Sequence, residues 1–134
     1  MQHTVKIARM TSRPQFLAAA KGVSEARGAV VVQRLDRGDG EAAVRLGFTA
    51  TRKVGNAVIR NRAKRRLREA ARALAPQLAR PGSDYVFIAR MGTADRPWDR
   101  LLDDVKSALT RLATPRPAPQ IAPRAPNSPA GQDS

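Results

Sequence analysis

The stretch from Arg52 to Arg72 constrains this chain more than any other, because it holds nine basic residues and a single acid, Glu69. The cations are ordered. Gly55 breaks the preceding strand, and Asn56 is placed to cap a helix by accepting from the free backbone N–H groups of the first turn. At about 100° per residue, Ile59, Ala63, Leu67, Ala70 and Leu74 form one apolar stripe. Asn61, Lys64, Arg65, Arg68 and Arg72 collect on the opposite face, with Arg60 and Arg62 flanking the N-terminal turn. Pro76 is expected to end or kink the helix. Solubility alone is served by mixed signs, whereas nearly unmixed cations four residues apart repel one another. Such a face becomes stable once phosphates sit against it. Arginine suits that partner, being able to fork onto phosphate and to stack on splayed bases. The positive end of the helix dipole adds to Arg60 and Arg62.

The whole chain carries the same bias. Its 134 residues suit one domain with tails, and 25 Lys and Arg against 11 Asp and Glu give a formal charge of +14. An excess of this size repels itself, so a large polyanion is the natural partner. Nucleic acid fits better than an anionic membrane. No apolar run is long enough to span a bilayer, and the N-terminus lacks the apolar core of a signal peptide. With no cysteine, a disulfide framework and a thiolate metal site are excluded. Cytoplasmic localisation is the default expectation.

Around the basic helix the pattern predicts a single α/β domain with element order α-β-β-α-β-α. A first helix starts near Ser12, where Ser12 and Gln15 have capping-box spacing, carries Phe16 and Leu17, and stops around Gly22. Gly28–Gln33 reads as a strand, followed by a hairpin turn at Arg37-Gly38-Asp39-Gly40. The returning strand runs from Val44 to Thr51, with Val44, Leu46, Phe48 and Ala50 on one face and Arg45, Gly47, Thr49 and Thr51 on the other. A third strand spans Tyr85–Ala89. A last helix opens near Pro97-Trp98 and carries Leu101, Leu102, Val105, Ala108, Leu109 and Leu112. Phe48, Tyr85, Phe87 and Trp98 are expected in the core. Residues 1–10 are read as a flexible N-terminus and 11–114 as the domain. Residues 115–134, with six of the ten prolines, are read as a disordered tail.

No residue set for catalysis by the polypeptide is visible. The only histidine, His3, sits in the N-terminal segment without positioning for general base work. Asp36, Asp39 and Glu41 fit turn formation and solvation better than metal binding. Asp103 and Asp104 fit a solvated helix face, Asp99 the positive end of the last helix, and Glu69 a pair with Arg65 or Arg72. Neither catalytic nor metal-ligating residues are expected, nor a small-molecule substrate.

Here a resemblance becomes specific. Arg45-Leu46-Gly47-Phe48-Thr49, then Lys53-Val54-Gly55-Asn56-Ala57-Val58-Ile59-Arg60-Asn61-Arg62 and Ala63 to Glu69, resemble the signature of the bacterial ribonuclease P protein family, whose hallmark is the Arg60-Asn61-Arg62 triplet. The similarity covers roughly residues 9–113. It implies a small two-layer α/β sandwich with a left-handed βαβ crossover, where chain chirality alone predicts a right-handed one. It also implies a protein that helps a catalytic RNA cut the 5′ leader from precursor tRNA, with Mg²⁺ acting in the RNA-containing holoenzyme. By position, Lys53, Asn56, Arg60, Asn61, Arg62, Lys64, Arg65 and Arg68 would contact the RNA subunit. A leader cleft between first helix and sheet would use Phe16, Arg45, Thr49 and Thr51. Phe16 either stacks a leader base, a contact worth about 1–3 kcal/mol, or anchors the first helix. Ala20 departs from the pattern, which leads us to expect a second aromatic there. The rival readings are a ribosome-associated RNA-binding protein, a DNA-binding nucleoid protein and, more distantly, a protein-only nuclease.

Overall fold

The structure, a computed structural model, describes residues 6–113. The tail expected at 115–134, His3 and the first half of the expected N-terminal segment lie outside the described residues. Eight helices and strands follow in order: β1 (Ile7–Arg9), α1 (Arg13–Ala19), β2 (Val23–Arg27), β3 (Val30–Asp36), β4 (Val44–Thr49), α2 (Ala57–Leu78), β5 (Ser83–Ala89) and α3 (Trp98–Ala113). A short 3-10 turn at Arg52–Val54 leads into α2. The strands form one sheet in the order β1-β4-β5-β3-β2. β5 runs parallel to β4 and antiparallel to β3, β1 is parallel to β4, and β2 is antiparallel to β3.

The mixed α/β class and the three helices match the sequence pattern, and two strands are added to it. β1 falls in the segment expected to be loose. Its backbone is held at both ends, Val44 N donating to the Lys6 carbonyl at 2.8 Å and Met10 N to the Leu46 carbonyl at 2.9 Å. β2 has no apolar alternation to betray it, and its fit comes from pairing with β3. The register Arg27↔Val30 leaves Gly28-Ala29 as the connection, so the tight hairpin is here. The Arg37–Gly40 segment is not a hairpin turn, because β3 and β4 do not pair and β5 lies between them. The reason is burial: all of β5 except Ile88 is buried, so it takes a central position with helices over both faces.

Alternation along β5 divides the core. Tyr85, Phe87 and Ala89 face α2 and α3 with Val30, Val32, Val44, Leu46, Leu67, Leu101, Val105 and Leu109, forming the main cluster. Val86 faces the other way into a smaller cluster with Met10 and Ala19, joined by Phe16, Leu35 and Ile88 beneath α1. The sheet therefore carries α1 on one face and α2 with α3 on the other, so the expected two-layer sandwich has a short third layer. Fully burying a Leu or Phe contributes roughly 1.5–3 kcal/mol, which makes the larger cluster the main source of stability.

Several local expectations change. Pro76 lies inside α2, which runs two residues further and ends at Leu78. A proline in the last turn removes one bond where the helix is already ending. Trp98 is 40% exposed rather than in the core. Asp104 is not on a solvated face: it is buried, accepts from Ala29 N at 3.0 Å and from Arg96 Nε at 2.7 Å, and so ties α3 to the β2–β3 hairpin.

Candidate RNA interface

The local sequence sets the direction of α2. The Asn56 side chain accepts from Ile59 N at 3.0 Å, the cap that the sequence predicts. Just before it, Gly55 has φ +149°, and a Cβ there would lie 2.9 Å from Ile59 Cγ2. Glycine is therefore required at the turn that aims the helix. Ala63, Leu67 and Ala70 are buried as predicted, whereas Ile59 is only partly covered.

The polar and cationic residues of this region divide into three sets. Asn61, Arg62 and Arg65 are exposed on the outer face, with Lys53 and Asn56 exposed just before the helix. Arg60, Lys64, Arg68 and Arg72, spaced four residues apart, form a ridge along one flank, with the first three half-buried. Arg66 belongs to neither. Its Nη1 donates to the Thr93 carbonyl at 2.7 Å and its Nη2 to the Arg96 carbonyl at 2.5 Å, while the guanidinium lies 5.7 Å from the Trp98 ring centre. It fastens the loop before α3 to α2.

Ion pairing is distributed very unevenly. Among the described residues, the carboxylate–arginine pairs join Arg27 and Arg111 to Glu25, Arg34 to Asp36, Arg37 to Asp39 and Asp84, Arg45 to Asp84, and Arg96 to Asp104. None involves α2, and Glu69 does not make the expected pair with Arg65 or Arg72. The helix presents seven cations and one acid with no neutralising partner in an ion pair among the described residues. The Arg60 Nε is shielded from solvent and has no hydrogen-bond partner among the described residues.

The predicted leader cleft is only partly assembled. Phe16 packs against Gly47, whose absent side chain makes the room: a Cβ there would come within 2.6 Å of the ring. Phe16 thus anchors α1 and also lines a small cavity with Arg9, Met10, Leu46, Gly47, Phe48, Lys64 and Arg68. Thr49 follows on the same sheet face as Gly47, and Thr51 is exposed beyond the strand. Arg45 is held elsewhere. Its Nε and Nη2 donate to the buried Asp84 at 2.7 and 2.6 Å, and Arg37 Nη1 adds a third bond at 2.7 Å. The bond to Asp84 raises the Arg45 pKa above its ordinary value. For Arg37, burial pulls downward and the bonds to Asp84 and Asp39 more than offset it. Arg9 and Arg72, not singled out as site residues from the sequence, stand beside the predicted ones. Only the pairing of β1 with β4 brings Arg9 to the helix, and the four-residue spacing from Arg68 was the available signal for Arg72.

A basic helix beside an open sheet edge, on a mixed α/β domain, defines a protein built to contact a polyanion. Comparison with known proteins is consistent with this. The family model described as Ribonuclease P matches residues 5–113. The ribonuclease P protein component of Caulobacter vibrioides is 61% identical over 111 residues, covering 83% of this chain and 74% of that protein. That of Ruegeria pomeroyi is 53% identical over 110 residues, covering 81% and 88%. Among solved structures, the RNase P protein of Staphylococcus aureus has a TM-score of 0.66 at 27% identity, covering 78% of this chain and 94% of that one. The RNase P protein of Thermotoga maritima has a TM-score of 0.66 at 28% identity, covering 77% and 96%. The chain belongs to the ribonuclease P protein family.

Proposed function

We propose that this chain is the protein subunit of a ribonuclease P holoenzyme, which binds the catalytic RNA and the 5′ leader of precursor tRNA to promote endonucleolytic 5′ maturation. One observation carries the assignment of the interface: α2 concentrates cations that no carboxylate among the described residues pairs with, while the arginines that do pair lie elsewhere. Arg60, Asn61, Arg62, Lys64, Arg65 and Arg68, with Lys53 and Asn56 at the start of the helix, form the surface for the RNA subunit. Phe16 and Thr49 face the leader. Arg45 contributes by holding the sheet edge in shape through Asp84.

The chain's part is electrostatic. Neutralising phosphates releases condensed counterions and lets two polyanions approach. The Mg²⁺ expected in the holoenzyme belongs on the RNA in this scheme. Asp84 and Asp104 are committed to arginines. We place the protein in the cytoplasm, where its RNA partners are made. No described helix is long and apolar enough to cross a membrane.

Replacing Arg65 and Arg68 with Ala and titrating the RNA at several salt concentrations tests the interface. Each lost phosphate contact is expected to flatten the log–log salt slope by roughly 0.7–0.9, and an unchanged slope and affinity would remove α2 from it. Precursor-tRNA cleavage at low Mg²⁺, with a bacterial ribonuclease P RNA, tests the role. Stimulation that still requires the RNA supports it. Tight binding without stimulation would favour a ribosome-associated protein.

A further inference from the structure

The cavity beneath Phe16 does not end at the α1 face. Arg9, Leu46, Phe48 and Arg68 also line a second cavity of about 180 Å³, completed by Ile7, Ala8 and Arg72. The two share four residues, so they form one trough. It starts at Phe16, rounds the sheet edge where β1 stops at Arg9, and continues between β1 and the flank of α2. Its floor is apolar, from Ile7, Leu46 and the Phe48 ring, which rests 5.3 Å from Phe87. Its rim is cationic. Lys64, Arg68 and Arg72 stand on one side and Arg9 on the other, and none of the four is in an ion pair or side-chain hydrogen bond among the described residues.

Size and chemistry select the occupant. A cavity of roughly 150 Å³ accommodates a benzene-sized ring, whereas drug-sized ligands occupy about 300–1,000 Å³. The larger part of the trough, between β1 and α2, therefore fits one ring system. An apolar floor under a ring, with guanidinium groups on both sides, is how proteins hold an unpaired base between its flanking phosphates. A duplex would reach the rim and leave the floor empty.

We propose that the trough between β1 and the Lys64–Arg68–Arg72 ridge holds one unpaired nucleotide of single-stranded RNA, with its base against Leu46 and Phe48 and its flanking phosphates on Arg9, Arg68 and Arg72. The assignment deepens the RNA-binding reading above and rests on it. It extends the single-strand path from the α1 face around the sheet edge to the opposite face. The nucleotide comes either from the precursor leader or from an unpaired position of the RNA subunit.

The isoleucines give a direct test, because the chain has only Ile7, Ile59, Ile88 and Ile121. Ile7 lines the trough, Ile59 sits on the first turn of the basic helix, and Ile88 lies beneath α1. The full chain, labelled on isoleucine methyls, would be titrated with a short unstructured RNA oligonucleotide. Saturable shifts at both Ile7 and Ile59 are expected. A shift at Ile59 with Ile7 silent would overturn the trough and leave the basic helix in place. Silence at both would overturn the RNA-binding reading itself. Arg72→Gln, at an exposed position with no bonded partner among the described residues, should weaken the Ile7 response several-fold and flatten the salt slope by about 0.7, with the thermal midpoint unchanged. An unaltered Ile7 titration would refute the phosphate contact. Repeating the measurement on the complex with the RNA subunit identifies the source. A shift before precursor tRNA is added points to the subunit, one only afterwards to the leader, and none in either case refutes the proposal.

Discussion

Removing the Asp84 carboxylate should destabilise the protein strongly while leaving the basic helix untouched. Asp84 is 1% exposed and accepts three charge-assisted bonds, one from Arg37 and two from Arg45. Breaking a buried pair from one side typically costs about 3–5 kcal/mol, because the remaining charge stays desolvated. Here the two arginines differ. The Arg45 side chain is 29% exposed and regains water by swinging outward, whereas that of Arg37 is only 7% exposed. Arg37 also keeps the Ala43 carbonyl at 2.6 Å and Asp39 at 2.9 Å. Asp84→Ala should therefore fall at the lower end, about 3 kcal/mol, or roughly 10–20 °C in Tm for a domain of this size. Urea unfolding followed by Trp98, the sole tryptophan, measures it. A loss below about 1 kcal/mol would mean that the cluster behaves like an exposed ion pair, and the burial reasoning would fail. Arg45→Ala should likewise lower stability, with RNA affinity below the melting temperature little changed; a selective loss of leader affinity would return Arg45 to the cleft.

Three further outcomes are expected. Gly47→Ala places a Cβ 2.6 Å from the Phe16 ring and 3.0 Å from the Met10 sulfur, so it should cost about 1–3 kcal/mol and weaken leader binding by displacing the ring. Denaturation and leader-oligonucleotide titration read the two effects. Arg66→Lys cannot fork onto both loop carbonyls, and a stability loss of about 1–2 kcal/mol with altered Trp98 fluorescence is expected. Tyr85, the only tyrosine, is fully buried, and burial raises its hydroxyl pKa despite the bond it accepts from Arg80 N. The neutral form is thus favoured in the fold. Its contribution to stability is complete below the unfolded value of about 10 and is lost as pH rises toward the folded one. Tyrosinate absorbance of the native protein should then show a midpoint above about 10, and a midpoint at the ordinary value would contradict the burial.

The amino-acid sequence by itself determined the parts whose signal is local. The Asn56 cap, the Ala63–Leu67–Ala70 stripe, the apolar face of α3 and the β4 alternation all follow from side-chain spacing, and each recurs in the structure. The Arg60-Asn61-Arg62 run marked the family for the same reason, since a charged face on one helix needs no distant partner to be visible. Tertiary structure decided whatever depends on residues far apart in the chain. β1 and β2 are too short or too polar to stand out, and they exist as strands through pairing with β4 and β3. The central place of β5 turned an expected hairpin into a loop closed by Arg37 on Asp84. Asp104 left the solvated face because Ala29 N and Arg96 meet it from other elements. The same holds for the cations. Composition counts them all alike, but only packing shows that Arg66 and Arg45 are bound to partners within the protein while Arg9, Arg68 and Arg72 stand unpaired among the described residues around one trough. A charge is free or committed according to what the fold brings within bonding distance.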